Sequence, residues 1–312
     1  MKILVSINIK QNLFIILILL FLKIYIINFY KMKNELPFQG QHRIPQIYLK
    51  QFGYLKNNEW YVSVYEIGKK TTSIEKINNF TKEINIYDLP FDELKGRRLF
   101  ENLSSLIEDR FPKIISNLEY QKKLILKDSQ FLNTIIANFI CRSNSFRENL
   151  KEIINDNESL KLLIKKITKN KDEYEKLYTL VKIFKPEYQI NIICYHIVFY
   201  LTLVLGQFEK TIIQANENLG WLTTDNPVCI TNDNYLLSIE SEIFFPISKK
   251  YLLFMYHPKS TKVKQNLKNL KKCMVNKIDS ATFKEITNKV VFNYNRYLIF
   301  NNEMQIFDVT KK

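Results

Sequence analysis

Histidine is rare in this chain, three in 312 residues, and one of them opens the run "HRIPQIYLKQF". An imidazole can move protons near neutral pH or ligate a metal through its neutral nitrogen. Pro45 fixes the local backbone and biases Ile44 toward an extended conformation, so His42 is held in a defined place. The plainer alternative is a buried histidine bonded to backbone, with Tyr48, Leu49 and Phe52 packing behind it. No triad or metal-ligand partner for His42 is visible along the sequence.

Glu101 and Glu108 stand seven apart in "LFENLSSLIEDRF". On a helix that spacing puts them about 20° apart in angle and about 10 Å apart along the axis. They share a face, too far apart to chelate one ion with ease. Both lie off the centre of the apolar arc, so a solvated helix face is expected, with a cleft beside the helix as the alternative. Arg142 differs: with Phe131, Ile135, Ile136 and Phe139 it falls on the apolar side of its helix. An inward arginine needs a carboxylate or a bound anion, and its forked donors suit either. Asp225 ends an expected strand before Asn226 and Pro227. Such a turn closes through Asx hydrogen bonds, yet strand ends also present catalytic carboxylates. A glycine-rich phosphate loop, a Gly-x-Ser-x-Gly elbow and a His-Glu-x-x-His pair are all missing from the sequence, so those enzyme classes are unsupported.

The elements that must position these residues follow from periodicity. "EWYVSVYEIGKKTTSIEKI" alternates as two strands around Gly68-Lys69-Lys70, a hairpin. From Phe91 to about Lys210 the pattern is helical, with Pro112 and Pro186 among the few breakers. Strand chemistry returns in "TIIQANENLGWLTTDNPVCIT", around Glu217-Asn218, and in "YLLSIESEIFFPISKKYLLFMYHP". A helix is expected near 279–294, then a closing hairpin turning at Asn301-Asn302-Glu303. The expected fold class is α+β: an N-terminal hairpin, a central helical bundle and a C-terminal antiparallel sheet with one late helix.

At 46% apolar the chain can bury a full core, and six glycines and eight prolines exclude long flexible linkers. The four cysteines, at 141, 194, 229 and 273, have neither zinc-site spacing nor that of a disulfide framework, which implies reduced thiols and a reducing compartment. The net charge is +15. Residues 1–31 hold four of the 46 basic residues and no acid, which leaves +11 on residues 32–312. That balance suits nucleic acid, nucleotides or an anionic surface, or simply a lysine-rich solvated exterior.

Residues 1–31 form a separate hydrophobic segment. Fourteen Leu, Ile or Phe lie between Leu13 and Phe29, worth about −4 to −8 kcal/mol on the insertion scale against about +3 for Lys23. No small-residue cleavage site follows, so the segment reads as an uncleaved anchor, or as sequence upstream of a true start at Met32. A start at Met32 implies a cytoplasmic protein. Otherwise the chain is a single-pass membrane protein with a cytoplasmic domain at 40–309.

Taken in order, these motifs resemble a bacterial family of unknown function, DUF4238. His42, Pro45, Tyr48, Leu49 and Phe52 match its opening His-x-x-Pro-x-x-Tyr-Leu-x-x-Phe pattern, and Glu101 with Glu108 its paired glutamates. Arg142 and Arg147 in "FICRSNSFRENL" match a Gln-x-x-Arg-Thr-Pro-like segment, with Ser143 and Asn144 in place of threonine and proline. "LTTDNPV" matches Thr-Ser-Asp-Asn-Pro-Val through Thr224, Asp225, Asn226 and Pro227, and "FFPISKKYLLF" and "ITNKVVFNYNRYLIF" match later segments. The resemblance implies no particular reaction.

The leading expectation is a metal-assisted hydrolase of phosphodiesters or nucleotides, of the sort used as a defence effector. His42, Asp225, Glu101 and Glu108 are the candidate catalytic residues, with His42 as base; carboxylates would hold Mg²⁺ or Mn²⁺, with no particular ligand set assigned, and Arg142 and Arg147 would bind the anion. Pro45, Tyr48, Thr224, Asn226 and Pro227 would support the site. The alternative is a non-enzymatic module that binds nucleic acid or another anion.

Overall fold

The computed structural model describes residues 40–89, 94–216, 219–231 and 237–301, with the side chains of Leu94, Lys95, Leu103, Leu106 and Ile107 excepted. The hydrophobic tract of residues 1–31, the Glu217-Asn218 turn and the second half of the closing hairpin lie outside the described residues.

The chain enters through a short strand, β1 (Gly40–His42), and a single helical turn, α1 (Gln46–Leu49). Pro45 starts that turn, and its carbonyl accepts the N–H groups of Tyr48 and Leu49. Next come β2 (Tyr54–Lys56), β3 (Glu59–Glu66), β4 (Thr71–Lys76) and β5 (Lys82–Ile84). Asn57 and Asn58 both have positive φ, 51° and 61°, the backbone that a two-residue hairpin turn needs to match strand twist. The β3–β4 hairpin turns at Ile67–Lys70, as the alternation predicts. Gly53 is required where it stands: a Cβ there would meet the Tyr61 carbonyl oxygen at 2.5 Å.

A run of helices follows: α2 (Leu94–Arg97), α3 (Leu99–Glu108), α4 (Phe111–Gln121), α5 (Leu126–Arg142) and α6 (Asn144–Asn155). It continues with α7 (Asn157–Ile167), α8 (Lys171–Ile183) and α9 (Pro186–Leu205). Pro112 and Pro186 open helices rather than break them, because the first turn has no N–H bond for proline to lose. Ser143 is extended, ends α5 and caps α6 through its hydroxyl, so Arg142 and Arg147 lie on either side of one sharp junction. Helix α9 is long and apolar enough to cross a membrane by composition, with mean hydropathy 1.6. It packs against α5, and Ile193, Cys194, Ile197, Val198 and Leu201 are fully buried.

The last third contains β6 (Glu209–Gln214), β7 (Thr223–Thr224), β8 (Cys229–Thr231), β9 (Glu242–Pro246) and β10 (Tyr251–Tyr256). After them come α10 (Gln265–Lys268), β11 (Val275–Asn276), α11 (Ser280–Val291) and β12 (Tyr297–Phe300). One sheet has the order β11-β6-β10-β9-β8, antiparallel except for the β11–β6 pair. A second runs β2-β3-β12-β7, with β4 also on β3, and β1 pairs with β5 in a separate two-stranded ribbon. The molecule is α+β as expected, but the N-terminal hairpin and the last strand share one sheet. Only long-range pairing shows this: Ile299 lies opposite Val64.

Tyr48 ties the two sheets together. It is fully buried, stacks on Phe245 at 5.5 Å and meets Phe139 edge-on at 4.9 Å. Its hydroxyl donates to the Pro246 carbonyl at 2.8 Å and shares a 2.6 Å bond with the Thr223 hydroxyl. The ring supplies apolar burial worth about 2 kcal/mol, while the hydroxyl joins β7 to β9.

Candidate functional site

β1 pairs antiparallel with β5, placing His42 opposite Lys82. Its Nδ1 lies 3.1 Å from the Phe80 carbonyl oxygen and its Nε2 lies 2.9 Å from the Gln46 amide nitrogen. With Nδ1 donating and Nε2 accepting, both ring nitrogens are used. Burial, helped by Lys82 and Arg142, lowers the imidazole's pKa despite the Phe80 bond, which favours the neutral ring. Each ring nitrogen thus has a partner within the fold.

Arg142, at the end of α5, is buried and has the carboxylates it requires. Nη1 donates to Glu108 at 2.6 Å, Glu101 lies 3.9 Å from Nη2, and Nη2 also donates to the His42 carbonyl. The two glutamates are therefore not on a solvated face: their side chains are 18% and 20% exposed. The seven-residue spacing on α3 lets one carboxylate approach each side of one guanidinium. Burial pushes the Glu108 carboxyl up to about 7, with Arg142 pulling against it and Glu101 adding to the rise; Glu101 is raised by burial too.

Tyr87 is the centre of this cluster. The guanidinium carbons of Arg142 and Arg147 lie 4.7 and 5.3 Å from its ring centroid, within cation–π range. The Tyr87 hydroxyl, Arg142 Nε and Glu101 Oε2 are buried and make no hydrogen bond of good geometry among the described residues, although the Tyr87 hydroxyl and the Arg142 guanidinium lie close enough to act on each other. The loop holding Tyr87 is fixed from both sides. Gln41 accepts the Tyr87 N–H and donates to Asp88, and Asn191 of α9 donates to the carbonyls of Ile86 and Asp88.

Arg147 has a different environment. It is 7% exposed, and Nη2 donates to Asn191 Oδ1 at 2.6 Å and to the Ile86 carbonyl at 3.3 Å, while Nη1 reaches only the Cys194 sulfur at 3.8 Å. No carboxylate pairs with it among the described residues. It lines a cleft of about 750 Å³ between the β1–β5 ribbon and helices α6 and α9, together with Asp88, Lys151, Tyr188 and Asn191.

Asp225 sends its carboxylate elsewhere. Its oxygens accept the backbone N–H groups of Asn295 and Arg296 at 2.9 and 2.8 Å. Burial raises its pKa and these bonds oppose the rise. Thr224 closes the turn onto Asn226, and the Asn226 amide reaches Ser145 in α6 and Asn293; Pro227 completes the turn before β8. The motif fastens the α5–α6 junction to the last strand. Among the described residues the Asp225 carboxylate makes no bond to Arg142 or His42; its partners are backbone N–H groups.

A divalent cation does not fit the expected donor set. Glu101 and Glu108 are engaged with Arg142, Asp225 with backbone, and no three His, Cys, Asp or Glu side chains gather among the described residues. Gln41, Tyr87, Asp88 and Asn191 were missed from sequence. Asn191 left a signal, a lone amide inside the apolar run "INIICYHIVFYL", the same pattern that marked Arg142.

The chain matches the DUF4238 family model, a protein of unknown function, over residues 40–312, and belongs to that family. No curated protein and no solved structure matches it.

Proposed function

We propose that this protein is a binding module for a small anion of the nucleotide class, held in the cleft beside Arg147. The observation that carries this reading is the buried Arg147 charge without a carboxylate. Such a charge is costly to keep inside a protein unless an anion completes it, and a guanidinium suits phosphate. Lys151 and Arg43, the latter bonded to Glu83, add cations to a lining that also carries Asp88, Glu148 and Glu187, and Tyr188 offers a ring on which a base can stack. Asp88 can accept from exocyclic amines. The cleft volume lies within the range of small-molecule sites. The four free cysteines support a reducing, cytoplasmic setting.

Calorimetric titration with inorganic phosphate, mononucleotides and short RNA and DNA strands tests the proposal. A mononucleotide should bind, and Arg147→Gln should weaken it about tenfold or more, as loss of a charged contact does. Lys151→Ala, at the exposed rim, should weaken it less and reduce its salt dependence. Absence of nucleotide binding, or binding indifferent to both variants, overturns the reading.

Hydrolysis of a phosphodiester or nucleotide is the second reading, favoured by the Glu108 carboxyl at about 7, a value suited to proton transfer at neutral pH. Turnover of a nucleotide or phosphodiester, abolished in Glu108→Gln while binding persists, would select it.

A further inference from the structure

A second cleft, of about 510 Å³, opens where the start of α5 meets the end of α9 and the first residues of β6. Its lining includes Asn133, Thr202, Gly206, Lys210, Lys272 and Cys273. None of these belongs to the cleft at Arg147. Two of its groups are unusual. Lys210 is 5% exposed, and no carboxylate pairs with it among the described residues; its Nζ donates to the carbonyls of Leu205 and Phe208, each at 3.2 Å. Asn133 is also 5% exposed, and its Oδ1 is buried with no hydrogen-bond partner among the described residues.

A neutral amine has two N–H bonds and one lone pair. Two carbonyls therefore use both donors of a neutral Lys210 and leave the lone pair as its only unengaged position. An ammonium there would carry a third proton and a charge without a counter-ion, which a buried site disfavours. Burial accordingly brings this lysine down to about 8. Lysines desolvated in this way are the ones that form Schiff bases. The unpartnered Asn133 oxygen asks for a donor on whatever enters.

We propose that this cleft is a Schiff-base site in which Lys210 condenses with a small hydroxy-aldehyde or hydroxy-ketone, whose hydroxyl donates to Asn133 Oδ1. The amine lone pair adds to the carbonyl carbon and a proton passes from nitrogen to oxygen. The hydroxyl then leaves as water with the second N–H proton as the C=N bond forms, so the Leu205 and Phe208 carbonyls release both N–H donors. No electrons are exchanged with an outside partner, and hydrolysis releases the ligand.

The test uses the full chain at pH 7.5 with glycolaldehyde, or with propionaldehyde, which lacks the hydroxyl. Cyanoborohydride reduces any imine to a stable secondary amine, and peptide mapping locates it. A thiohemiacetal at Cys273 would not survive this treatment, so the map reads lysines alone. With glycolaldehyde, Lys210 should label about tenfold faster than exposed lysines, because its neutral fraction at this pH is far larger. Propionaldehyde should label it more slowly, and Asn133→Leu should erase that difference. Lys210→Arg should remove the labelled peptide. Label confined to exposed lysines in the wild-type chain overturns the proposal, as does equal labelling of Lys210 by both aldehydes. The wild-type map decides even if a variant fails to fold.

Discussion

Arg142 donates through Nη2 to the backbone carbonyl of His42, one hundred positions earlier in the chain. The same guanidinium holds Glu108, so one side chain joins α5, α3 and β1. Arg142→Met should cost about 3–5 kcal/mol, because it leaves two carboxylates and a carbonyl without their cation. Arg142→Lys should recover only part of this, since an ammonium lacks the fork that serves both partners. Urea midpoints at pH 7 measure both. A loss under about 1 kcal/mol in Arg142→Met would show that the cluster does not hold the fold.

Glu108 makes stability depend on pH in a known direction. Burial holds its carboxyl at about 7, against an ordinary 4.5. Between those values the folded chain keeps a proton that the unfolded chain has lost, so stability falls as pH rises through this window and is level above it. Glu108→Gln cannot titrate. Its stability relative to wild type should therefore rise by roughly 3 kcal/mol at most between pH 4.5 and pH 8. Arg142, Glu101 and Asp109 also face this carboxyl and stay in both proteins. Parallel melting curves across that range for the two proteins would refute the assignment.

Asp225 is expected to act through the fold alone. Asp225→Ala removes the acceptor of two backbone N–H groups and should cost about 2–3 kcal/mol. Nucleotide affinity per folded molecule should be unchanged. A fall in affinity without a fall in melting temperature would return Asp225 to the binding site.

Tyr48→Phe keeps the ring and removes the hydroxyl that bridges Thr223 and Pro246. Leaving those buried groups unpaired should cost about 1–3 kcal/mol. Chemical denaturation reads the loss directly, and a neutral result would mean that the Thr223 hydroxyl finds another partner.

The fold was legible wherever a local pattern carried it. The β3–β4 hairpin, the helical run and α11 follow from alternation, turn residues and a 3.6-residue repeat. The inward position of Arg142 was readable from its helix face. Which carboxylates meet it was not, because the partners lie on a helix more than thirty residues away. Nor do Tyr87 and Asp88 bear any periodic signature: they sit in a connection after β5 and are placed by Gln41, which looks like an ordinary surface amide in the sequence, and by Asn191, whose place in an apolar run marks it as inward without naming its partners. Asp225 reads two ways for a physical reason. A carboxylate that accepts backbone N–H groups and one poised for catalysis occupy the same turn with the same neighbours.

The pairing of β12 with β3 has a consequence for biosynthesis. Arg296, beside β12, bonds Glu66 at a separation of 230 residues, so this edge of β3 is complete only when nearly the whole described chain exists. A ribosome adding about 5–20 residues per second needs roughly 10 to 50 s to cover that distance. During that interval the N-terminal strands have emerged with an uncovered edge, next to side chains destined for the interior. An open edge of this kind invites pairing with neighbouring nascent chains. Yield in a heterologous host should therefore depend on the supply of chaperones that shield such edges, and on elongation rate, more than on the final stability of the protein.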